Sequence, residues 1–207
     1  NQAFGTGKIS ASGTQLWAHS SGINLANDMD VVAGGLRFGG ANSMTLSGPV
    51  TLVGADRSVG VYGAGTLTVS GAIGDDGGTR LLAKEGTGTL ILTAVNTYGG
   101  ETRMFSGTLT LSGGNNRLPT GSTINYTGAS TLDIGTTNQT VAGLSFGAEV
   151  TGTLTGSGTL TLTGASVNLG GSGNTTLNTT GLSNFTYNNP AGTLGLNVST
   201  ADRTANA

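Results

Sequence analysis

Apolar and polar residues alternate along most of the chain in short runs, and glycine bounds nearly every run. In Gly65-Thr66-Leu67-Thr68-Val69-Ser70-Gly71, Leu67 and Val69 fall on one side, and Thr66, Thr68 and Ser70 on the other. A period of two is the signature of a strand with one buried face. The runs Gly88-Thr89-Leu90-Ile91-Leu92-Thr93, Gly107 to Gly113 and Gly158 to Gly164 repeat the pattern. Met44-Thr45-Leu46, Val50-Thr51-Leu52-Val53, Val59-Gly60-Val61-Tyr62, Ile124-Asn125-Tyr126 and Leu194-Gly195-Leu196-Asn197-Val198 fit the same mould. The bounding glycines supply the positive φ that sharp turns need. Glycine and threonine are also poor helix formers, so the pattern predicts an all-β chain of short strands.

The strands recur. Gly-Thr-Leu begins at Gly65, Gly88, Gly107, Gly152, Gly158 and Gly192; the first steps are 23 and 19 residues, and the related Ser130-Thr131-Leu132 follows Gly107 by 23. A loose repeat of this length predicts a β-solenoid, in which each coil adds strands to parallel sheets. A β-sandwich would also show short strands but has no reason to repeat Gly-Thr-Leu. Spread over residues 1–207 as one domain, the repeat gives roughly 10 coils and a rod about 45–50 Å long at the ordinary strand spacing. The runs at 65–71, 107–113 and 158–164 share one longer pattern, with 88–93 as a fourth copy.

Composition narrows the class. Of 207 residues, 39 are Gly, 35 Thr, 18 Ser and 17 Asn, whereas only 8 are Lys or Arg and 10 Asp or Glu. A net charge of −2 without a basic cluster argues against a nucleic-acid partner. No run approaches the roughly 18 apolar residues of a membrane-spanning helix. Low charge and abundant β-branched residues separate the chain from disordered sequences. There is no cysteine, hence no disulfide, thiolate metal site or cysteine nucleophile. Asn1-Gln2-Ala3-Phe4-Gly5 has no signal-peptide features, which suggests a cleaved leader or a segment of a longer chain. Residues 150–201, between Glu149 and Asp202, carry no charge and are a candidate contact face. Six Asn-x-Ser/Thr sequons, at Asn125, Asn138, Asn174, Asn178, Asn184 and Asn197, are about what chance provides.

At residues 84–111 a longer pattern appears. Lys84-Glu85-Gly86-Thr87-Gly88-Thr89-Leu90-Ile91-Leu92 leads to Asn96-Thr97-Tyr98-Gly99-Gly100-Glu101-Thr102, and after Arg103-Met104-Phe105-Ser106 comes Gly107-Thr108-Leu109-Thr110-Leu111. This resembles the autotransporter-associated β-strand repeat, also called the passenger-associated transport repeat. That family's pattern is K-x-G-x-G-T-L-x-L, N-T-Y-x-G-x-T, an apolar residue and G-T-L. Met104 stands where the family usually has Val or Ile, and Arg103 where it commonly has Thr. The resemblance implies a right-handed parallel β-helix displayed outside a Gram-negative-type cell as the stalk of a secreted passenger. An outer-membrane translocator would be its partner if the native chain is longer. It assigns no catalytic role to any residue.

Candidate chemistry is sparse. Asp75, Asp76, Arg80, Lys84 and Glu85 form the densest charged window, and β-helix polysaccharide lyases and hydrolases use clustered carboxylates with Arg or Lys. Within Gly74-Asp75-Asp76-Gly77-Gly78, however, the residue types are those of a solvated turn. His19 is the only histidine, so any Ser-His-Asp triad would need it, and no G-x-S-x-G elbow is present. Asp28 and Asp30 are too few to build a calcium site. Thr pairs such as Thr66/Thr68, Thr108/Thr110 and Thr159/Thr161/Thr163 would order water if stacked on a flat face, but the uneven 19–23-residue spacing argues against a regular array. No catalytic, cofactor-binding or metal-binding residue is assigned.

The expected protein is a non-enzymatic extracellular β-solenoid, either a cell-surface stalk or adhesin module or a fibre-forming one. Neither terminus reads as a cap, which predicts either continuation in a longer chain or end-to-end self-association through terminal coils, filaments included. Surface or matrix polysaccharide is a further expected partner. A polysaccharide-active enzyme relying on Asp75 and Asp76, and an ice-binding threonine array, are the alternatives.

Overall fold

The computed structural model describes residues 4–147 and 150–164, and the strand segments 167–169, 176–180 and 184–187. The chain winds through β1 (Ile9–Ala11), β2 (Gln15–Trp17) and β3 (Ile23–Leu25), then β4 (Met29–Val31), β5 (Leu36–Gly39) and β6 (Met44–Leu46). The next turns comprise β7 (Val50–Leu52), β8 (Arg57–Tyr62) and β9 (Leu67–Val69), then β10 (Ile73–Asp75), β11 (Leu82–Glu85) and β12 (Thr89–Leu92). Two turns of two strands follow: β13 (Thr102–Met104) with β14 (Gly107–Leu111), and β15 (Thr123–Tyr126) with β16 (Ser130–Asp133). The rod continues with β17 (Gln139–Val141), β18 (Gly143–Phe146), β19 (Thr151–Thr155), β20 (Thr159–Leu162), β21 (Val167–Leu169), β22 (Thr176–Thr180) and β23 (Asn184–Tyr187).

All pairing is parallel. Two faces are continuous sheets of eight strands, β2-β5-β8-β11-β13-β15-β18-β21 and β3-β6-β9-β12-β14-β16-β19-β22. The third face is split into β1-β4-β7-β10 and β17-β20-β23. The molecule is thus a three-sided parallel β-solenoid. Eight strands per long face make about seven turns, fewer than the ten expected, and at the ordinary strand spacing the stack is about 34 Å long. The count differs because ten coils assumed that the whole chain repeats; the Gly192-Thr193-Leu194 copy, the C-terminal end and much of segment 150–201 lie outside the described residues.

Register explains the repeat. Met44, Leu67, Leu90, Leu109, Leu132 and Leu154 are successive Cα partners on one face, although the steps between them are 23, 23, 19, 23 and 22 residues. All six point inward and are buried. Each fully buried leucine contributes on the order of 1.5–3 kcal/mol, so a one-residue slip that reversed this alternation would be costly. The inner side of the β2-containing face adds Leu36, Val59, Met104, Tyr126 and Phe146 in one column, with Tyr126 and Phe146 stacked at a centroid distance of 4.9 Å.

Variation in coil length is shared between two connections. The chain takes 17 residues from Leu67 to Lys84 but 14 from Leu90 to Met104 across the split face, and 8 from Val59 to Leu67 but 5 from Met104 to Leu109 at the corner between the long sheets. Between β10 and β17, residues 93–101 and 112–122 cross the split face without forming strands. The two long sheets keep strict register because both connections take up the difference.

Register also sorts the Gly-Thr-Leu copies and the outward threonines. Gly158-Thr159-Leu160 is not equivalent to the other copies: Leu160 pairs with Gln139 on the split face, and Gly152-Thr153-Leu154 is the copy in register with Leu132. The step of 22 from Ser130 to Gly152 belongs to the main repeat, whereas Gly158 begins the next face. Despite the uneven spacing, one threonine column stays in register. Thr89, Thr108, Thr131 and Thr153 are consecutive register partners on the outside. The neighbouring outer column, Thr45, Thr68, Ile91, Thr110, Asp133 and Thr155, is interrupted by Ile91 and Asp133.

Candidate functional site

The charged window does not assemble into one constellation. Asp75 ends β10, so the turn begins only at Asp76. Asp75 accepts hydrogen bonds from the backbone N–H groups of Gly99 (2.7 Å), Gly77 (3.0 Å) and Arg80 (3.0 Å). Asp76 accepts from the N–H groups of Gly54 (2.6 Å) and Gly78 (3.2 Å), and pairs with Arg80 Nε at 3.0 Å. The Gly99 N–H, the largest influence, holds the Asp75 carboxyl below its usual range, and the Gly54 N–H does the same for Asp76. Both carboxylates are therefore fixed as anions that staple loops of successive coils, and neither is raised as a general acid requires.

Lys84 and Glu85 point in opposite directions from one strand. Glu85 faces outward, where Tyr62 Oη donates to its Oε2 at 3.3 Å. Lys84 lies in the inward column between Val59 and Met104 and is 0% exposed. Its Nζ donates to the carbonyls of Glu85 (2.9 Å), Gly86 (2.8 Å) and Ser106 (3.0 Å), which uses all three ammonium donors. Burial lowers its pKa to about 8, with the Glu85 carboxylate acting in the opposite direction.

The rest of the 84–111 pattern has equally concrete structural work. Asn96 lies where the split face lacks a strand. Its Oδ1 accepts the Ile73 N–H at 2.7 Å and its Nδ2 donates to the Arg117 carbonyl at 2.7 Å, so the side-chain amide replaces a peptide group in the ladder. One coil on, Gln139 Oε1 accepts the Arg117 N–H at 2.8 Å and Asn116 Oδ1 accepts that of Thr140 at 2.9 Å. Tyr98 is buried, and its hydroxyl meets Thr102 Oγ1 at 2.6 Å. A Cβ at Gly100 would stand 2.6 Å from the backbone of Arg80 and Leu81, so only glycine permits that approach. Sequence reading missed these roles; the available signal was Asn or Gln recurring near 96, 116 and 139, one coil apart.

The remaining candidates stay apart. His19 is exposed in the turn after β2. Asp28 is exposed, Met29 between the two acids is buried in the core, and Asp30 pairs with Lys8 at 2.9 Å. Among the described residues no three His, Cys, Asp or Glu side chains converge as a metal site requires. Of the sequons, Asn125 sits in β15 and its Nδ2 donates to Glu101 Oε2 at 3.1 Å, whereas Asn174 and Asn197 lie outside the described residues. An open cleft of about 380 Å³ marks the gap in the split face, lined by Val95, Asn96, Tyr98, Leu118, Pro119 and Ser122 among others. The polar side chains of Asn96, Tyr98 and Ser122 are already engaged within the protein.

The class defined by fold and site is a parallel β-solenoid whose patterned residues maintain its coils. Comparison with models of known protein families, with curated proteins and with solved structures gives no match.

Proposed function

We propose that the chain is a structural rod of the cell exterior, a non-enzymatic stalk or spacer of the kind to which its 84–111 unit is similar. The observation that supports this most is the use made of that unit: Lys84, Gly86, Asn96, Tyr98, Gly100 and Thr102 all serve backbone, packing or core contacts within a coil or between neighbouring coils. A solenoid couples each coil only to its neighbours, so length can be added without redesign, as a spacer needs. Strands β1, β2 and β3 form the outer edges of their sheets and pair on one side only among the described residues. Such an edge accepts a further coil by strand addition, from preceding chain or from another copy. The test is antibody labelling of intact cells that make the protein, with and without external protease. Surface label removed by protease supports the proposal, and label that appears only after lysis refutes it.

A second reading rests on the unbroken column Thr89, Thr108, Thr131 and Thr153: hydroxyls at strand spacing that order water against ice. Thermal hysteresis lost on Thr108→Tyr would support it, and freezing behaviour like that of an inert protein would dismiss it.

A further inference from the structure

Beyond the rod reading, and independent of it, the outer side of the β2-containing face carries a row of exposed aromatic rings. Trp17, Tyr62 and Phe105 are 63%, 39% and 41% exposed. Trp17 pairs with Gly39, and Gly39 with Tyr62, so the two rings share one outward column with a single strand between them. Phe105 follows Met104, the register partner of Lys84, and so falls beside Glu85 two strands beyond Tyr62. The three aromatics recur every second strand, a step of about 9.5 Å along the rod, with Phe105 set one column aside from Trp17 and Tyr62, in line with Glu85, Gly60, Arg37 and Gln15.

Glycines make the rings lie down. Gly39 and Gly60 occupy outward positions that would normally carry side chains. A Cβ on Gly39 would stand 2.6 Å from Gln15 Nε2 and 3.4 Å from Trp17 Cζ2, and one on Gly40 3.2 Å from Trp17 Cε3, so the indole and the Gln15 amide lie together over the backbone of the next coil. A Cβ on Gly60 would stand 2.5 Å from Tyr62 Cε2, which places the phenol ring over Gly60. Both rings thus lie against backbone while remaining exposed, and alanine at Gly60 would displace the phenol ring.

The fringe is polar and balanced. Gln15, Arg37, Gly60 and Glu85 form the adjoining outward column, with Glu85 accepting from Tyr62 Oη. One cation and one anion give no net charge, which complements a neutral ligand better than an acidic polysaccharide, a nucleic acid or an anionic membrane. Flat aromatic faces suit the C–H-rich faces of sugar rings, and planar amide, guanidinium and carboxylate groups suit their hydroxyls. A row with no deep pocket, extended along the rod, fits a chain better than a single sugar.

We infer that Trp17, Tyr62 and Phe105 form a stepped platform that binds an extended neutral polysaccharide running along the rod, with Gln15, Arg37 and Glu85 bonding its hydroxyls. The test is affinity electrophoresis of the intact chain in native gels containing hydroxyethyl cellulose, galactomannan or mixed-linkage β-glucan, with alginate gels and anionic vesicles for contrast. Expected is retardation by at least one neutral polysaccharide, insensitive to salt and weakened about tenfold by Trp17→Ala or Tyr62→Ala. Tyr62→Phe should retain most of the binding, and Val95→Ala, an exposed apolar residue on the split face, all of it. Circular dichroism and the melting temperature establish that each variant is folded. No retardation by any of the three neutral polysaccharides, retardation unchanged in the Trp17→Ala/Tyr62→Ala/Phe105→Ala variant, or binding confined to alginate or vesicles would overturn the inference.

Discussion

Lys84 and Met104 are direct partners on adjacent parallel strands and both are fully buried, so an ammonium group occupies a column otherwise built from Leu36, Val59, Tyr126 and Phe146. The charge is tolerated because the side chain bends to the corner between two sheets and satisfies three carbonyls. Lys84→Met keeps the volume but strands those carbonyls, and should lower stability by on the order of 2–4 kcal/mol in urea unfolding.

The same residue makes a pH prediction. Its folded pKa of about 8 lies below the roughly 10.4 of a free lysine, so the protonated form is the one the fold penalises. Below about pH 8 both states hold the proton and this group adds no slope; between about 8 and 10.4 the unfolded state holds more, and stability rises with pH. The full rise is on the order of 3 kcal/mol. Urea midpoints from about pH 7 to 9.5 should climb for the native chain and stay flatter for Lys84→Met.

Asp75 and Asp76 titrate with the opposite slope. Their folded pKa values are depressed, so their contribution is present above the ordinary carboxyl pKa near 4 and lost as pH falls through the lower folded values. An Asp75→Ala/Asp76→Ala variant should melt below the native chain at neutral pH, and the gap should narrow as the pH falls below the ordinary carboxyl range. A gap independent of pH would show that the carboxylates do not staple the coils as anions.

Asn96 tests the bridge across the split face. Asn96→Leu leaves the Ile73 N–H without its partner and takes one of two donors from the Arg117 carbonyl, which keeps the Asn96 backbone N–H, and should cost on the order of 1–3 kcal/mol. Asn96→Asp keeps the acceptor but sets an anion against the Arg117 carbonyl, so its defect should ease as the pH drops toward 4. Equal stability of all three proteins would remove the bridge from the structure.

Much of the fold was legible because leucine alternation is a local signal. Leu67, Leu90 and Leu109 announce both the buried face and the coil, whatever happens between them. Which face a copy occupies is not local: Gly152-Thr153-Leu154 and Gly158-Thr159-Leu160 read alike, and only pairing with Leu132 or Gln139 separates them. The same limit hid the inward course of Lys84, since a lysine in an alternating strand reads as solvated until three carbonyls are seen around its Nζ. The aromatic row was equally hidden. Trp17, Tyr62 and Phe105 lie 45 and 43 residues apart in sequence, and only the register places them on one face.

Pulling single molecules from their two ends tests the rod most directly. A solenoid held coil by coil should release in successive steps of one turn, about 22 residues or about 75 Å of extended chain, each behind its own force peak. Extension without force peaks, or release of the whole domain in one step, would contradict a rod whose coils are secured one to the next.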